Sequence, residues 1–371
     1  MIKILHTGDI HLDSPFSGLS PSLAETRRNE LRAAFTSMMA YAKMNLVDLM
    51  LISGDTFDGE FVTRETIALL CSEFEKFGKP VFITPGNHDC ASLNSVWKKQ
   101  SFPSNVHVFT ESEVTSVDIA DLGVTVYGYA FTEPDMTEAP IVGKTVFSPD
   151  RVNLLVCHAD MISSKGSTCC PLTADDIDEF GADYAALGHV HNPPSPGKDN
   201  RWCYCGCLEP RAFDEVGPKG ALIVEINKAD GKSEVSIKPV RLSKRRYEKG
   251  ELPVDGASTQ ADIAEAIKKY AAENRMGSDT LLRLRLKGYV SPSLIIDTDS
   301  LDGPTFGLFM LNVEDATSPD IDTASLDDDV TIRGEVYRQL KPMLASENER
   351  DREIARRALR YAFNSLSGES I

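Results

Sequence analysis

No apolar run in this chain approaches the 18 or so residues of a membrane-spanning helix. The opening stretch, MIKILHTGDIHLDS, turns polar after five residues and lacks the continuous apolar core of a signal peptide. Both absences argue against a membrane-embedded or secreted protein, so no membrane association and a cytoplasmic location are expected. Eight cysteines are present, yet no two of them form a C-x-x-C pair. Without a secretion signal they read as reduced thiols rather than as a disulfide framework. Basic residues are in deficit: 39 Lys and Arg face 56 Asp and Glu, a net charge of −17. Residues 1–240 hold 20 basic against 33 acidic residues (−13), and residues 241–371 hold 19 against 23 (−4). A broad basic face for non-specific nucleic-acid binding is therefore not expected, unless acidic residues hold divalent cations that reverse the local field. Internal repeats and low-complexity tracts are also missing. What is there, 42% apolar and 26% charged residues over 371 positions, is ordinary for an enzyme-sized globular chain of one large and one smaller domain.

In the first half, short β-rich runs alternate with helical stretches. IKILHTG (2–8) reads as a strand, and Pro21–Met44 as a helix with Leu23, Leu31, Phe35, Met38 and Met39 roughly on one face. VDLMLISG (47–54) reads as a buried strand, Arg64–Phe77 as a helix and PVFIT (80–84) as a further strand. After residue 106 strands dominate: VTVYGYAF (124–131), VNLLVCHA (152–159), YAALGH (184–189), WCYCGCL (202–208) and KGALIVEI (219–226). The expected class is α/β (an α+β sandwich), with two mixed β-sheets flanked by helices. LSKRRYEKGELP (242–253) reads as a charged connector into a small α+β domain, with a helix around 260–273 and strands at 281–290 and 306–313. SPDIDTASLDDD (318–329) reads as a polar linker to two helices, 330–344 and 349–366, the second carrying a stripe of Ile354, Ala358, Tyr361, Ala362 and Leu366. Expected domains are thus 1–240, 241–317 and 318–371.

Histidine is scarce, and its placement is uneven. Of seven histidines, five stand where an apolar run ends: GDIH, PGNHDC, CHAD and LGHVH, with SGDTFD ending a further strand. Loops at the carboxyl ends of strands in α/β folds converge on one crevice. Asp9, His11, Asp55, Asn87, His158, His189 and His191 would bring imidazole nitrogens and hard oxygens there, and no thiolate. Such donors suit manganese, iron, magnesium or zinc. Seven ligands exceed the needs of one ion and suit two, which would attract a phosphate despite the acidic chain.

The ordered set Asp9-Ile10-His11, Gly54-Asp55, Gly86-Asn87-His88-Asp89, His158 and Gly188-His189-Val190-His191 resembles the calcineurin-like metallophosphoesterase superfamily. The resemblance implies that Asp9, His11 and His191 hold one metal, that Asn87, His158 and His189 hold the other, and that Asp55 bridges them. His88 would be catalytic, protonating the leaving oxygen or stabilising developing charge, and Asp58 would orient it. The flanks ILHTGDIHLDSPFSGL and GCLEPRAFDEVGPKGALIVEI further resemble the SbcD and YhaO type of DNA-repair exonuclease, over most of residues 1–317. That resemblance implies a phosphodiesterase acting on DNA, as a 3′-5′ exonuclease or single-strand endonuclease, by in-line attack of metal-bound water. Manganese is the expected metal. Residues 241–317 would cap the nuclease domain, and the C-terminal helices would dock on an SMC-like coiled-coil ATPase of the SbcC type. A homodimer through the helix at 22–44 is also implied. Cys205-Gly206-Cys207 stands where relatives commonly show Pro-Gly-Ser.

Several readings stay open at this point. A small-substrate phosphoesterase, such as a cyclic-nucleotide phosphodiesterase or protein phosphatase, would use the same core. A protein that chiefly docks through its C-terminal helices is a third possibility. Asp13 and Asp89 read as supporting rather than ligating carboxylates, and His6 and His107 as structural. Cys203, Cys205 and Cys207 alternate and read as small buried hydrophobes in preference to a thiolate site. Lys244, Arg245 and Arg246 around Tyr247 read as a solvated connector, with DNA-backbone contact as the alternative.

Overall fold

The computed structural model of the protein describes residues 1–146, 148–161, 166–192 and 196–367. The chain divides into two compact units, the first ending at Lys244 and the second starting at Arg245. In chain order the first unit comprises β1 (Ile2–Thr7), α1 (Pro21–Met44), β2 (Leu49–Ser53), α2 (Arg64–Phe77), β3 (Val81–Thr84), α3 (Val96–Lys99), β4 (Val106–Val108), β5 (Thr115–Ile119), β6 (Val124–Gly128), β7 (Val152–His158), α4 (Ala174–Phe180), β8 (Tyr184–Gly188), β9 (Trp202–Tyr204), β10 (Gly220–Ala229) and β11 (Lys232–Arg241). One sheet runs β11-β10-β1-β2-β3-β4 and the other β5-β6-β7-β8-β9. Both are mixed: β1 to β4 are parallel, β10 pairs antiparallel with both β1 and β11, and in the second sheet only β5 is antiparallel.

Alternation along the strands builds the layers. Ile4, Leu49 and Leu51 of the first sheet share one core with Leu154, Val156 and Ala186 of the second. Their strand neighbours Leu5, Met50 and Ile52 face the other way, onto Leu31, Phe35 and Met38 of α1 and Leu70 and Phe74 of α2. Leu155, Cys157 and Leu187 likewise pack on Ile177 and Phe180 of α4. Each fully buried Leu, Ile, Val, Met or Phe among them contributes about 1.5–3 kcal/mol. The helices are bounded by local chemistry. Pro21 opens α1. The Thr63 hydroxyl accepts from Thr66 N at the start of α2, and Gly78 ends it in the left-handed conformation.

The second unit comprises β12 (Arg246–Pro253), α5 (Gln260–Glu273), β13 (Thr280–Lys287), β14 (Tyr289–Val290), β15 (Met310–Asp315), β16 (Ser318–Pro319), α6 (Thr323–Leu326), α7 (Ile332–Leu344) and α8 (Glu349–Ser367). β12, β13 and β15 form a parallel sheet covered by α5, whose Ile263 and Ile267 pack on Leu284 and Leu286. Three sequence readings are corrected here. The charged connector is mostly strand β12, which pairs with β13 over its whole length and buries Tyr247 and Leu252. The 318–329 linker contains β16 and α6, and its Leu326 is buried against Tyr337, Leu359 and Phe363. On α8 the buried stripe is Ala355, Leu359 and Phe363, one position away from the expected one, while Ile354, Tyr361 and Leu366 are exposed. Arg360 sets that rotation. It is buried, with its guanidinium on Asp315 Oδ2 at 2.7 Å and on Thr317 Oγ1 at 2.6 Å. Among the described residues no helix is long and apolar enough to cross a membrane.

Candidate metal centre

The five motif loops leave the carboxyl ends of β1, β2, β3, β7 and β8. The first two are zipped together by main-chain bonds: Asp9 N donates to Gly54 O (3.0 Å), His11 N to Asp55 O (2.9 Å) and Leu12 N to Thr56 O (2.8 Å). This network holds an unusual backbone. Asp9, His11, Asp55 and His189 have φ of 46°, 51°, 48° and 106°, left-handed values that a β-carbon disfavours. Such strain costs on the order of 1–3 kcal/mol per residue and concentrates at functional sites. The motif glycines allow the loops to close in. A β-carbon at Gly86 would overlap the Asp55 carboxylate, and one at Gly54 would overlap the His158 ring.

Asp9, His11, Asp55 and His191 place donor atoms within 4.8 Å of one another. His11 Nδ1 faces Asp58 Oδ1 at 2.9 Å and His191 Nδ1 faces Glu215 Oε1 at 2.5 Å. Each Nδ1 therefore carries the proton, and each Nε2 presents its lone pair. Those two Nε2 atoms face each other at 3.1 Å. A proton held between them, as the raised pKa of His191 favours, or a cation in its place satisfies both nitrogens. The donor set thus fits a metal. A second group adjoins the first. His158 Nδ1 donates to Ser53 O (3.0 Å), which leaves its Nε2 toward Asn87 Oδ1 (3.0 Å). The His189 ring lies edge-on to that of His158, with 5.2 Å between centroids. Asp55 Oδ2 is 3.6 Å from His11 Nε2 and 3.4 Å from His158 Nε2, so one carboxylate faces both groups. This His/Asp cluster can bind a dinuclear metal centre.

Charge follows burial and neighbours. Burial raises Asp9 to about 6, tempered by His191. Burial pushes Asp55 the same way, but the imidazoles of His158, His11 and His88 outweigh it and hold the carboxyl below its ordinary value. His11, His158 and His189 are all lowered by burial, which keeps them neutral and ready to ligate. His88 differs: nearly half its side chain is exposed, Asp58 Oδ1 lies 3.3 Å from its Nδ1, and the hydrogen bond to Asp58 raises its pKa. It is the motif histidine best placed to meet a ligand in protonated form.

Other residues brought to or kept from the site are informative. Asp13 ties α1 to α2, accepting from Arg32 Nη1 (3.0 Å) and Thr63 N (2.8 Å). Asp89 accepts from Gly86 N (2.7 Å) and Thr56 N (2.9 Å), and burial raises it to about 8. His6 is buried between Tyr184 Oη (2.8 Å) and Ser53 Oγ (3.0 Å). Cys203 and Cys205 belong to the inter-sheet core, although β9 ends at Tyr204 and leaves Cys205 beyond the strand. Burial pushes the Cys203 thiol up to about 12. Two residues at the site were missed in the sequence, Arg211 and Glu215. They stand on the turn between β9 and β10, 20 or more residues beyond the last histidine motif and away from any strand end. Both lie in the segment GCLEPRAFDEVGPKGALIVEI, whose resemblance was the available signal, but there they are two charged residues among several.

Fold and site together define a metal-dependent phosphoesterase class: residues 2–193 match the family described as calcineurin-like phosphoesterase, and the chain belongs to it. Among curated relatives, the chain is similar to the uncharacterized metallophosphoesterase YhaO of Bacillus subtilis, 27% identical over 302 residues that cover 77% of this chain and 72% of the relative. It is also similar to the SbcD component of the SbcCD nuclease of Staphylococcus epidermidis, 25% identical over 65% of this chain and 71% of that protein. The DNA double-strand break repair protein Mre11 of Aeropyrum pernix is 24% identical over 76% of this chain and 71% of its own length.

Proposed function

We propose that this protein is a manganese-dependent phosphodiesterase that hydrolyses DNA, as a 3′-5′ exonuclease or single-strand endonuclease in repair. The observation that carries the reading is the cluster of Asp9, His11, Asp55 and His191, with His158 Nε2 and Asn87 Oδ1 adjoining it and half-exposed His88 beside it. Asp9, His11 and His191 would hold one cation, Asn87, His158 and His189 the other, and Asp55 both. When bound, such ions supply Lewis acidity and lower the pKa of water. The chain's own residues do the rest. Asp58 keeps His88 oriented and protonated, and His88 delivers a proton to the departing oxygen at its Nε2. His11, His158 and His189, kept neutral by burial, stay available as donors. Two relatives, one named as part of a nuclease and one as a DNA-repair protein, direct the substrate reading toward DNA.

The finer organisation follows the same reading. The first 240 residues form the nuclease domain, residues 241–317 act as a cap that guides DNA, and the C-terminal helices dock on an SMC-like ATPase. The exposed Ile354, Tyr361 and Leu366 on α8 support a docking face. A cytoplasmic location and a homodimer through α1 complete the proposal. The test is digestion of end-labelled single- and double-stranded DNA by metal-stripped protein restored with Mn²⁺, with Asp55→Asn as control. Loss of DNA that needs Mn²⁺ and an intact Asp55 supports the reading. Cleavage of a small phosphodiester with no loss of DNA moves the enzyme to the small-substrate class.

A further inference from the structure

Asp58 and Glu215 each grip an imidazole of the metal centre, and one guanidinium touches both carboxylates. Asp58 Oδ1 meets three donors: His11 Nδ1 at 2.9 Å, His88 Nδ1 at 3.3 Å and Arg211 Nη1 at 3.0 Å. Its Oδ2 accepts from Ser14 Oγ at 2.7 Å. Glu215 Oε1 meets His191 Nδ1 at 2.5 Å and Arg211 Nη2 at 3.5 Å, and its Oε2 accepts from Arg211 N at 2.5 Å. Arg211, Asp58 and Glu215 are mostly buried, with side-chain exposures of 16%, 13% and 5%. In that setting removal of one charge leaves the others uncompensated, unlike at a solvated surface pair. The brace is also anchored in the main chain, since Cys207 N donates to the carbonyl of His191 (3.3 Å) at the start of the same turn.

We propose that Arg211 is a positioning residue whose guanidinium spans Asp58 and Glu215, and through them fixes His11, His88 and His191. The role rests on the metal-dependent reading above. A planar fork with donors in two directions can join two separate carboxylates, and a lysine ammonium is a single point of charge. Partners that orient metal-ligating histidines typically matter by about 10- to 100-fold in affinity or turnover when lost. Arg211 brings order to three imidazoles at once and touches none of them.

The test uses full-length wild type, Arg211→Met and Arg211→Lys. Mn²⁺ binding is read by titration calorimetry, and kcat and KM on bis(p-nitrophenyl) phosphate. The expected result for Arg211→Met is Mn²⁺ binding weakened by about 10- to 100-fold and kcat lowered by a similar factor, with KM nearly unchanged and partial recovery in Arg211→Lys. Unchanged metal affinity and kcat overturn the proposal. A raised KM alone also overturns it, because Arg211 would then be a substrate contact. Should Arg211→Met not fold, Arg211→Lys decides: wild-type affinity and kcat in that variant reject the need for a fork, and a loss in both supports it. If wild type binds Mn²⁺ but cleaves no phosphodiester, the functional reading fails while the calorimetry still judges Arg211.

Discussion

The two groups of donors in the candidate metal centre hold their histidines by different means. On one side Asp58 and Glu215 grip the Nδ1 atoms of His11 and His191. On the other the Nδ1 of His158 rests on a neutral main-chain carbonyl, that of Ser53. A carboxylate partner makes an imidazole a stronger base and a stronger donor than a carbonyl does. The first half is therefore adjustable through side chains, and the second is set by the fold of β2 and β7. Asp55 faces both, so its loss cannot be confined to either half. The difference teaches that one centre can combine a tunable position with a fixed one, and it predicts two unequal metal affinities.

Asp55→Asn is the most damaging way to break the comparison. It removes the shared charge, and phosphodiester turnover should fall on the order of 10³-fold or more, with both ions lost in a metal analysis. Next is His88→Ala, which should lower kcat by about 10²- to 10⁴-fold while both ions stay bound, since that ring belongs to neither half. Equal metal loss in this variant would reject a catalytic role for His88. Glu215→Gln sharpens the contrast through pH. In the metal-free protein burial pushes Glu215 up, but the hydrogen bond with His191 and the charge of Arg211 outweigh it and hold the carboxyl at about 2, below its usual 4.5. His191 is pushed down most by burial, but the hydrogen bond to Glu215 together with the charges of Asp9 and Glu215 outweighs it and raises the pKa. The Glu215 contribution is present above about pH 4.5 and fades as pH falls toward 2, whereas the His191 contribution is present below about 6.5 and fades as pH rises through its raised value. The stability gap between wild type and Glu215→Gln, read by denaturant unfolding, should thus be widest near pH 5–6 and shrink on both sides. The mildest change is Ser53→Ala. It deletes a buried hydroxyl bonded to His6 and to Thr7 O but keeps the carbonyl that holds His158. A cost of about 1–3 kcal/mol in stability, with metal content intact, is expected. Loss of a metal ion there would show that the hydroxyl, not the carbonyl, orients His158.

Legibility in the sequence followed the same division between what strands impose and what turns supply. α1 and α2 were readable to the residue because their apolar positions recur at helical spacing, with a Pro start marking α1 and a Thr cap and Gly stop bounding α2. The motif residues were readable because each ends an apolar run, where parallel strands deliver loops to one edge. Glu215 and Arg211 lie on an irregular turn, where no periodicity marks them. β12 was hidden because its buried residues, Tyr247 and Leu252, are five apart and break the alternation that identifies a strand. β11 exposes most of its side chains as an edge strand, with Val235 its buried contact, and so reads as polar. The stripe on α8 was misplaced by one position because two apolar sets recur at helical spacing there, and the buried one, Ala355, Leu359 and Phe363, lies beside Arg360, a buried cation bound to Asp315.

The most direct test of the unequal, dinuclear centre is a calorimetric titration of metal-stripped wild type with Mn²⁺. Two ions per chain, bound with distinct affinities, are the predicted result. A single ion, or two of equal affinity, would contradict it.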